Sequence, residues 1–134
     1  MKFLGVDYGT KRVGIATSDE DGRLAFPKNV LKNTNSLIKE IKEICVEENI
    51  VGVVVGESRN LDGTPNPLMK NIDTFMEQTK KEIDVPLYFE PEFFTSHQAQ
   101  KIQGKNDMLD ASAAAIILQS YLDKKQYKES QATN

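Results

Sequence analysis

Four carboxylates stand where the sequence pattern brings the ends of apolar segments together. Asp7 closes the first apolar run of LGVDYGTKRVGIATSD, and Glu57 follows the continuous run Val51 to Val55. Glu92 follows the run Pro86 to Glu90, and Asp110 lies in the first turns of an alanine-rich helix. A carboxylate at the end of an apolar strand is costly to bury unless a cation or a set of donors meets it. Several sharing one small volume repel and protonate unless a divalent cation neutralises them. Oxygen ligands with no histidine or thiolate beside them point to Mg²⁺ or Mn²⁺. A pair of such ions, roughly 3.5 to 4 Å apart, activates water and stabilises the leaving oxygen in phosphodiester cleavage. The chemistry these acids suggest is metal-dependent phosphoryl transfer.

The elements that must position them are legible in the hydrophobic periodicity. Lys2 to Asp7 and Arg12 to Ser18 read as two strands joined by the turn Tyr8-Gly9-Thr10-Lys11. After a second turn at Asp19 to Gly22, Arg23 to Leu31 reads as a third strand, with Pro27 marking an edge or a bulge. Leu37, Ile38, Ile41, Ile44 and Cys45 form one helical stripe, with Asn33, Thr34 and Asn35 as N-cap candidates. Val51 to Val55 has the continuous apolar character of a strand buried on both faces. A second helix opens at Asn66-Pro67 and turns Leu68, Ile72, Phe75, Met76, Thr79 and Ile83 inward. Pro86 to Glu90 is the fifth strand, Thr95 to Gln98 fits a capping box, and a buried helix runs from about Asp107 to Lys125. The expected class is α/β: a five-stranded mixed sheet, with strands 1 to 3 an antiparallel meander and strands 4 and 5 parallel, flanked by helices. Ligands of such sheets gather where strand ends diverge, the edge to which these acids belong.

The chain has 134 residues, 39% hydrophobic, enough for one domain over residues 1 to 125, with 126 to 134 expected as a disordered tail. No apolar run approaches the roughly 20 residues that span a bilayer, and no signal-like block opens the chain, so a cytoplasmic protein without membrane contact is expected. The lone Cys45 excludes an internal disulfide and a cysteine-rich zinc site. A net charge of −3 means that any nucleic-acid contact needs a local basic patch or metal ions against an acidic background.

Four segments carry a family resemblance over about residues 2 to 123: LGVDYGTKRVGIATSD, VVVGESRNLDGT, EPEFFTSHQA and DMLDASAAAIILQSYLD. They resemble the blocks of the YqgF/RuvX family of RNase H-like nucleases, described as pre-16S rRNA nucleases or Holliday-junction resolvase homologues. The resemblance implies an RNase H-like fold and an acidic Mg²⁺ site, carried over here to Asp7, Glu92 and Asp110. It also implies nucleic acid as partner, either pre-rRNA, met alone or in ribosomal precursor particles, or branched DNA. The third block departs from the family's Asp-Glu-Arg-Leu-Thr-Thr: Pro91-Glu92-Phe93-Phe94-Thr95-Ser96 keeps the glutamate and lacks its flanking acid and arginine. The second block has Gly56-Glu57-Ser58-Arg59 in place of Gly-Leu-Pro, so Arg59 or His97 is a candidate replacement for the missing cation.

Each nominated residue also has an ordinary structural role open to it. Asp7 can bond turn amides, Asp107 suits an N-cap as well as a metal, and Glu57 is either a solvated loop residue or an extra ligand. Thr95 serves a helix cap or the substrate. Gly9, Thr10, Lys11, Arg12, Arg59, Lys101 and Lys105 form a phosphate-contacting rim or an ordinary solvated surface. Three rivals accompany pre-16S rRNA processing. A junction resolvase requires paired sites in a dimer, whereas RNA trimming suits a monomer or weak homodimer. A non-catalytic nucleic-acid or ribosome-binding module would bind without cleaving. A nucleotide phosphotransferase is disfavoured because actin-like ATPases clasp their nucleotide between two domains.

Overall fold

The computed structural model describes residues 1–59, 67–93 and 108–132. Five strands, β1 (Lys2–Asp7), β2 (Arg12–Ser18), β3 (Ala25–Lys32), β4 (Ile50–Arg59) and β5 (Leu87–Phe93), form one sheet in the order β3-β2-β1-β4-β5. The described helices are α1 (Leu37–Glu47), α2 (Met69–Glu82) and α3 (Met108–Ala132). β1, β2 and β3 pair antiparallel, while β4 lies parallel to both β1 and β5, the mixed topology expected of the sequence.

Alternation along the central strands builds two cores. Leu4 and Val6 of β1, Val13 and Ile15 of β2, and Val53 and Val55 of β4 pack with Leu37, Ile41, Ile72 and Phe75 of α1 and α2. Phe3, Ala16 and Val54 face the other way, onto Ala114, Ile117, Leu118 and Leu122 of α3. Cys45 is buried in the first core, where desolvation pushes its thiol up to about 11, so it is a packing residue.

α3 approaches the sheet closely because glycines line its track. A Cβ on Gly5 would stand 2.7 Å from Leu118 Cβ and 2.9 Å from the Ala114 carbonyl oxygen. Gly5→Val is therefore expected to cost at least about 1–3 kcal/mol through overpacking, read as a lowered urea midpoint. An unchanged midpoint would contradict this packing.

Pro27 sits on edge strand β3 at a register shift, with Ile15 opposite Asn29 and Ala16 opposite Pro27, so both features it suggested are present. Pro91 lies on the other edge strand, β5, where a missing N–H can face outward without breaking the ladder.

Several boundaries differ from expectation. β3 begins at Ala25 because the amides of Arg23 and Leu24 are taken by the Asp19 carboxylate, at 2.8 and 3.2 Å. The N-cap of α1 is Ser36, without a side-chain cap bond. Asn33 is instead committed to the first turn, and Thr34 Oγ1 accepts the Ser36 amide. β4 runs through Arg59 and β5 through Phe93, because each gives the other a ladder: Glu57, Ser58 and Arg59 pair with Pro91, Glu92 and Phe93. α3 continues to Ala132, so residues expected in a tail form its last turns, with a Lys125–Glu129 ion pair one turn apart. The short helix expected at Thr95 to Gln98 lies outside the described residues.

Candidate active site at the carboxyl edge of the sheet

Asp7 is the last residue of β1 and is half-buried. Its place on the α3 side follows from alternation, since Phe3 and Gly5 both meet that helix while Leu4 and Val6 join the opposite core. Its ladder partner Gly14 stands two residues from Ala16, which faces the same way.

α3 runs antiparallel to β1: Tyr121 packs on Phe3 at 5.8 Å between rings, and Ala114 and Leu118 lie over Gly5. From Gly5 to Asp7 the strand advances about 6.6 Å. From Ala114 back to position 110 the helix covers about 6 Å. Position 110 therefore arrives at the level of Asp7, on the stripe that contacts β1.

β5 brings a third acid position to the same face. Glu90 is 3% exposed, and its carboxylate accepts hydrogen bonds from Ser120 at 2.8 Å and Lys124 at 2.5 Å, both on α3. Tyr88, two residues earlier, stacks on Tyr121. Position 92, two residues beyond Glu90, thus also falls on the α3 face, beside its partner position 58 on β4. Asp7 and positions 92 and 110 share one face at the carboxyl edge.

Glu57 does not share it. Val54 packs against α3, and a Cβ on Gly56 would meet Ile117 at 2.6 Å, so Glu57 alternates with Val53 and Val55 to the α1/α2 side. It is half-buried inside β4, and position 59 falls on that same side at the strand's end. The solvated loop expected around Glu57 is replaced by strand, because β5 pairs with it through Arg59.

The first turn is rigidly built. A Cβ on Gly9 would come within 2.4 Å of the Arg12 carbonyl oxygen, so no side chain fits there. Asn33 donates its side-chain amide to the Gly9 carbonyl at 2.8 Å and its backbone N–H to the Lys11 carbonyl at 3.0 Å. Thr10, Lys11 and Arg12 are exposed, and Arg12 alternates with Gly14 and Ala16, which places it on the face of Asp7. Asp107, Thr95, His97, Lys101 and Lys105 lie outside the described residues.

Sequence reasoning gave no role to Asn33 beyond a cap, nor to the buried anchor Glu90-Ser120-Lys124. The signal for the anchor was present: an acid inside an apolar strand, and a hydroxyl and an amine one turn apart on an otherwise apolar helix.

All three positions offer hard oxygen donors, the set suited to Mg²⁺ or Mn²⁺. Among the described residues no three His, Cys, Asp or Glu residues group as a metal site, and that set leaves out the side chains of Glu92 and Asp110.

Comparison with known proteins places the family and the fold. A protein named "Putative pre-16S rRNA nuclease" from Nitratidesulfovibrio vulgaris (strain Miyazaki F) is 35% identical over 133 residues, covering 92% of this chain and 94% of its own. One of the same name from Pelagibacter ubique is 33% identical, covering 92% and 88%. The Thermus thermophilus RuvC structure superposes with a TM-score of 0.61 at 15% identity, covering 93% of this chain and 97% of that one. The fowlpox virus Holliday junction resolvase gives 0.57 at 17%, covering 92% and 99%. These two likenesses bear out the RNase H-like fold. A family model described as "RuvX: Holliday junction resolvase" matches residues 1–124, and the chain belongs to that family.

Proposed function

We propose that this protein is a divalent-metal-dependent nuclease that hydrolyses phosphodiester bonds, processing the 5′ end of pre-16S rRNA in the cytoplasm. The observation that carries the reading is the gathering of Asp7 and positions 92 and 110 on one face of one sheet edge. The names of the relatives that cover nearly the whole chain support the RNA substrate.

Asp7, Glu92 and Asp110 would hold the ion or ions. Bound Mg²⁺ supplies an activated water and charge neutralisation at the scissile phosphate. The chain's own contribution is placement: Glu90 fixes β5 on α3, Gly5 lets α3 close on β1, and the Asn33-pinned turn presents Lys11 and Arg12 to the phosphates flanking the cut. Lys11→Ala combined with Arg12→Ala is expected to weaken binding of RNA irrespective of sequence and to flatten its salt dependence, because phosphate contacts release counterions. An affinity equal to wild type across salt would remove this turn from the binding surface.

Resolution of branched DNA is the second reading, favoured by the description of the family model. The discriminating experiment incubates the protein with a 5′-extended single-stranded rRNA precursor and with a four-way DNA junction, with Mg²⁺ or with EDTA. Metal-dependent trimming of the RNA by a monomer is the expected result. Paired cuts in the junction by a dimer would give the second reading, and binding without cleavage of either would leave a non-catalytic module. Among the described residues no helix is long and apolar enough to cross a membrane.

A further inference from the structure

On the α1/α2 side of the same edge lies a cleft of about 310 Å³, whose lining includes Tyr8, Asn35, Asn71, Thr74, Phe75 and Gln78. Tyr8 follows Asp7 directly in the chain and joins the opposite core, so the cleft and the acid face are back to back across the end of β1. The chain path keeps them at one edge. β3 runs in the direction of β1, α1 begins just after its end, and α2 follows the carboxyl end of β4. The Gly9 turn, fastened by Asn33, is the ridge between them.

The chemistry of the lining selects a ligand class. None of its residues is charged, so a phosphate would find no counter-ion there. Three carboxamides, Asn35, Asn71 and Gln78, stand on exposed residues, and among the described residues no hydrogen bond engages them. Carboxamides offer a donor and an acceptor side by side, the pattern that pairs with a base edge. The Tyr8 and Phe75 rings, 5.0 Å apart between centroids, add an aromatic wall. The volume is at the low end for ligand sites, which suits one base.

We propose that this cleft is a nucleobase subsite, taking one unpaired base of a single strand whose backbone crosses the Gly9 turn to the acidic edge. The proposal rests on the nuclease reading above and adds a specificity site to it. An unpaired base is required because only a base splayed out of its stack can enter a cleft of one-base size.

The test has two arms. The first titrates the wild-type protein with the four ribonucleosides, and with ribose 5-phosphate as control, following the side-chain amide NMR signals of Asn35, Asn71 and Gln78. The second compares Asn71→Ala/Gln78→Ala with wild type on a single-stranded RNA and on bis(p-nitrophenyl) phosphate, a diester without bases. Saturable shifts with nucleosides and none with ribose 5-phosphate are expected. The variant should lose about tenfold in kcat/KM on RNA and nothing on the baseless diester. Silence toward nucleosides, equal shifts with ribose 5-phosphate, or undiminished RNA cleavage by the variant would overturn the subsite. If the wild-type protein cleaves neither substrate, the nuclease reading falls, and the nucleoside titration still decides whether the cleft takes a base.

Discussion

Asp7→Asn is expected to abolish metal-dependent cleavage while leaving the fold intact. Asparagine keeps the shape of the side chain and removes the charge that a hard cation needs. Partners that only orient a metal ligand are worth about 10- to 100-fold, so loss of a ligand should exceed about a hundredfold. Asp7 ends β1 on the face closed by α3, at the level that position 110 reaches one turn before Ala114. Asp110→Asn should therefore match it. Turnover on single-stranded RNA, with the thermal midpoint as a control on folding, checks both. Cleavage at the wild-type rate by either folded variant would remove that residue from the site.

The second large effect separates two glutamates that stand near each other in the sheet. Position 92 lies on the α3 face with Glu90, whereas Glu57 alternates to the α1/α2 face with Val55. Glu92→Gln should therefore cost more activity than Glu57→Gln, by at least the roughly tenfold that about 1.4 kcal/mol of lost transition-state stabilisation represents. The ratio of Mg²⁺-dependent turnovers of the two variants is the measurement. A more damaged Glu57→Gln enzyme would mean that the ion sits across the sheet from Asp7. Wild-type turnover in both would remove both glutamates from the site.

Strand alternation explains why the acids were legible in the sequence and their partition was not. Asp7 could be placed at a strand end because β1 is short, apolar and followed by a glycine turn. The stripes of α1 and α2 follow from their 3.6-residue period, and Ile72, Phe75, Met76 and Thr79 are all buried. Where β4 and β5 end is a different matter. Residues 56 to 59, GESR, look like a turn in isolation and become strand only because Pro91 to Phe93 pairs alongside them. That pairing sends Glu57 and position 92 to opposite faces, a consequence of register that no local pattern carries. The lengthened α3 has a similar origin: Asp123 to Ala132 has no apolar stripe, and it extends a helix already nucleated by the buried segment from Ala111 to Leu122. Asn33 was hidden for the reason that most long-range hydrogen bonds are, since its partner Gly9 lies 24 residues away.

Where a divalent ion binds decides whether the α3 face holds the active site, and a crystal soaked in Mn²⁺, read by anomalous scattering, addresses that directly. The predicted result is a peak on the α3 face of the carboxyl edge, ligated by carboxylate oxygens of Asp7, Glu92 and Asp110. A peak bound by Glu57 on the α1/α2 face, or a saturated soak that leaves the Asp7 edge without a peak, would contradict it.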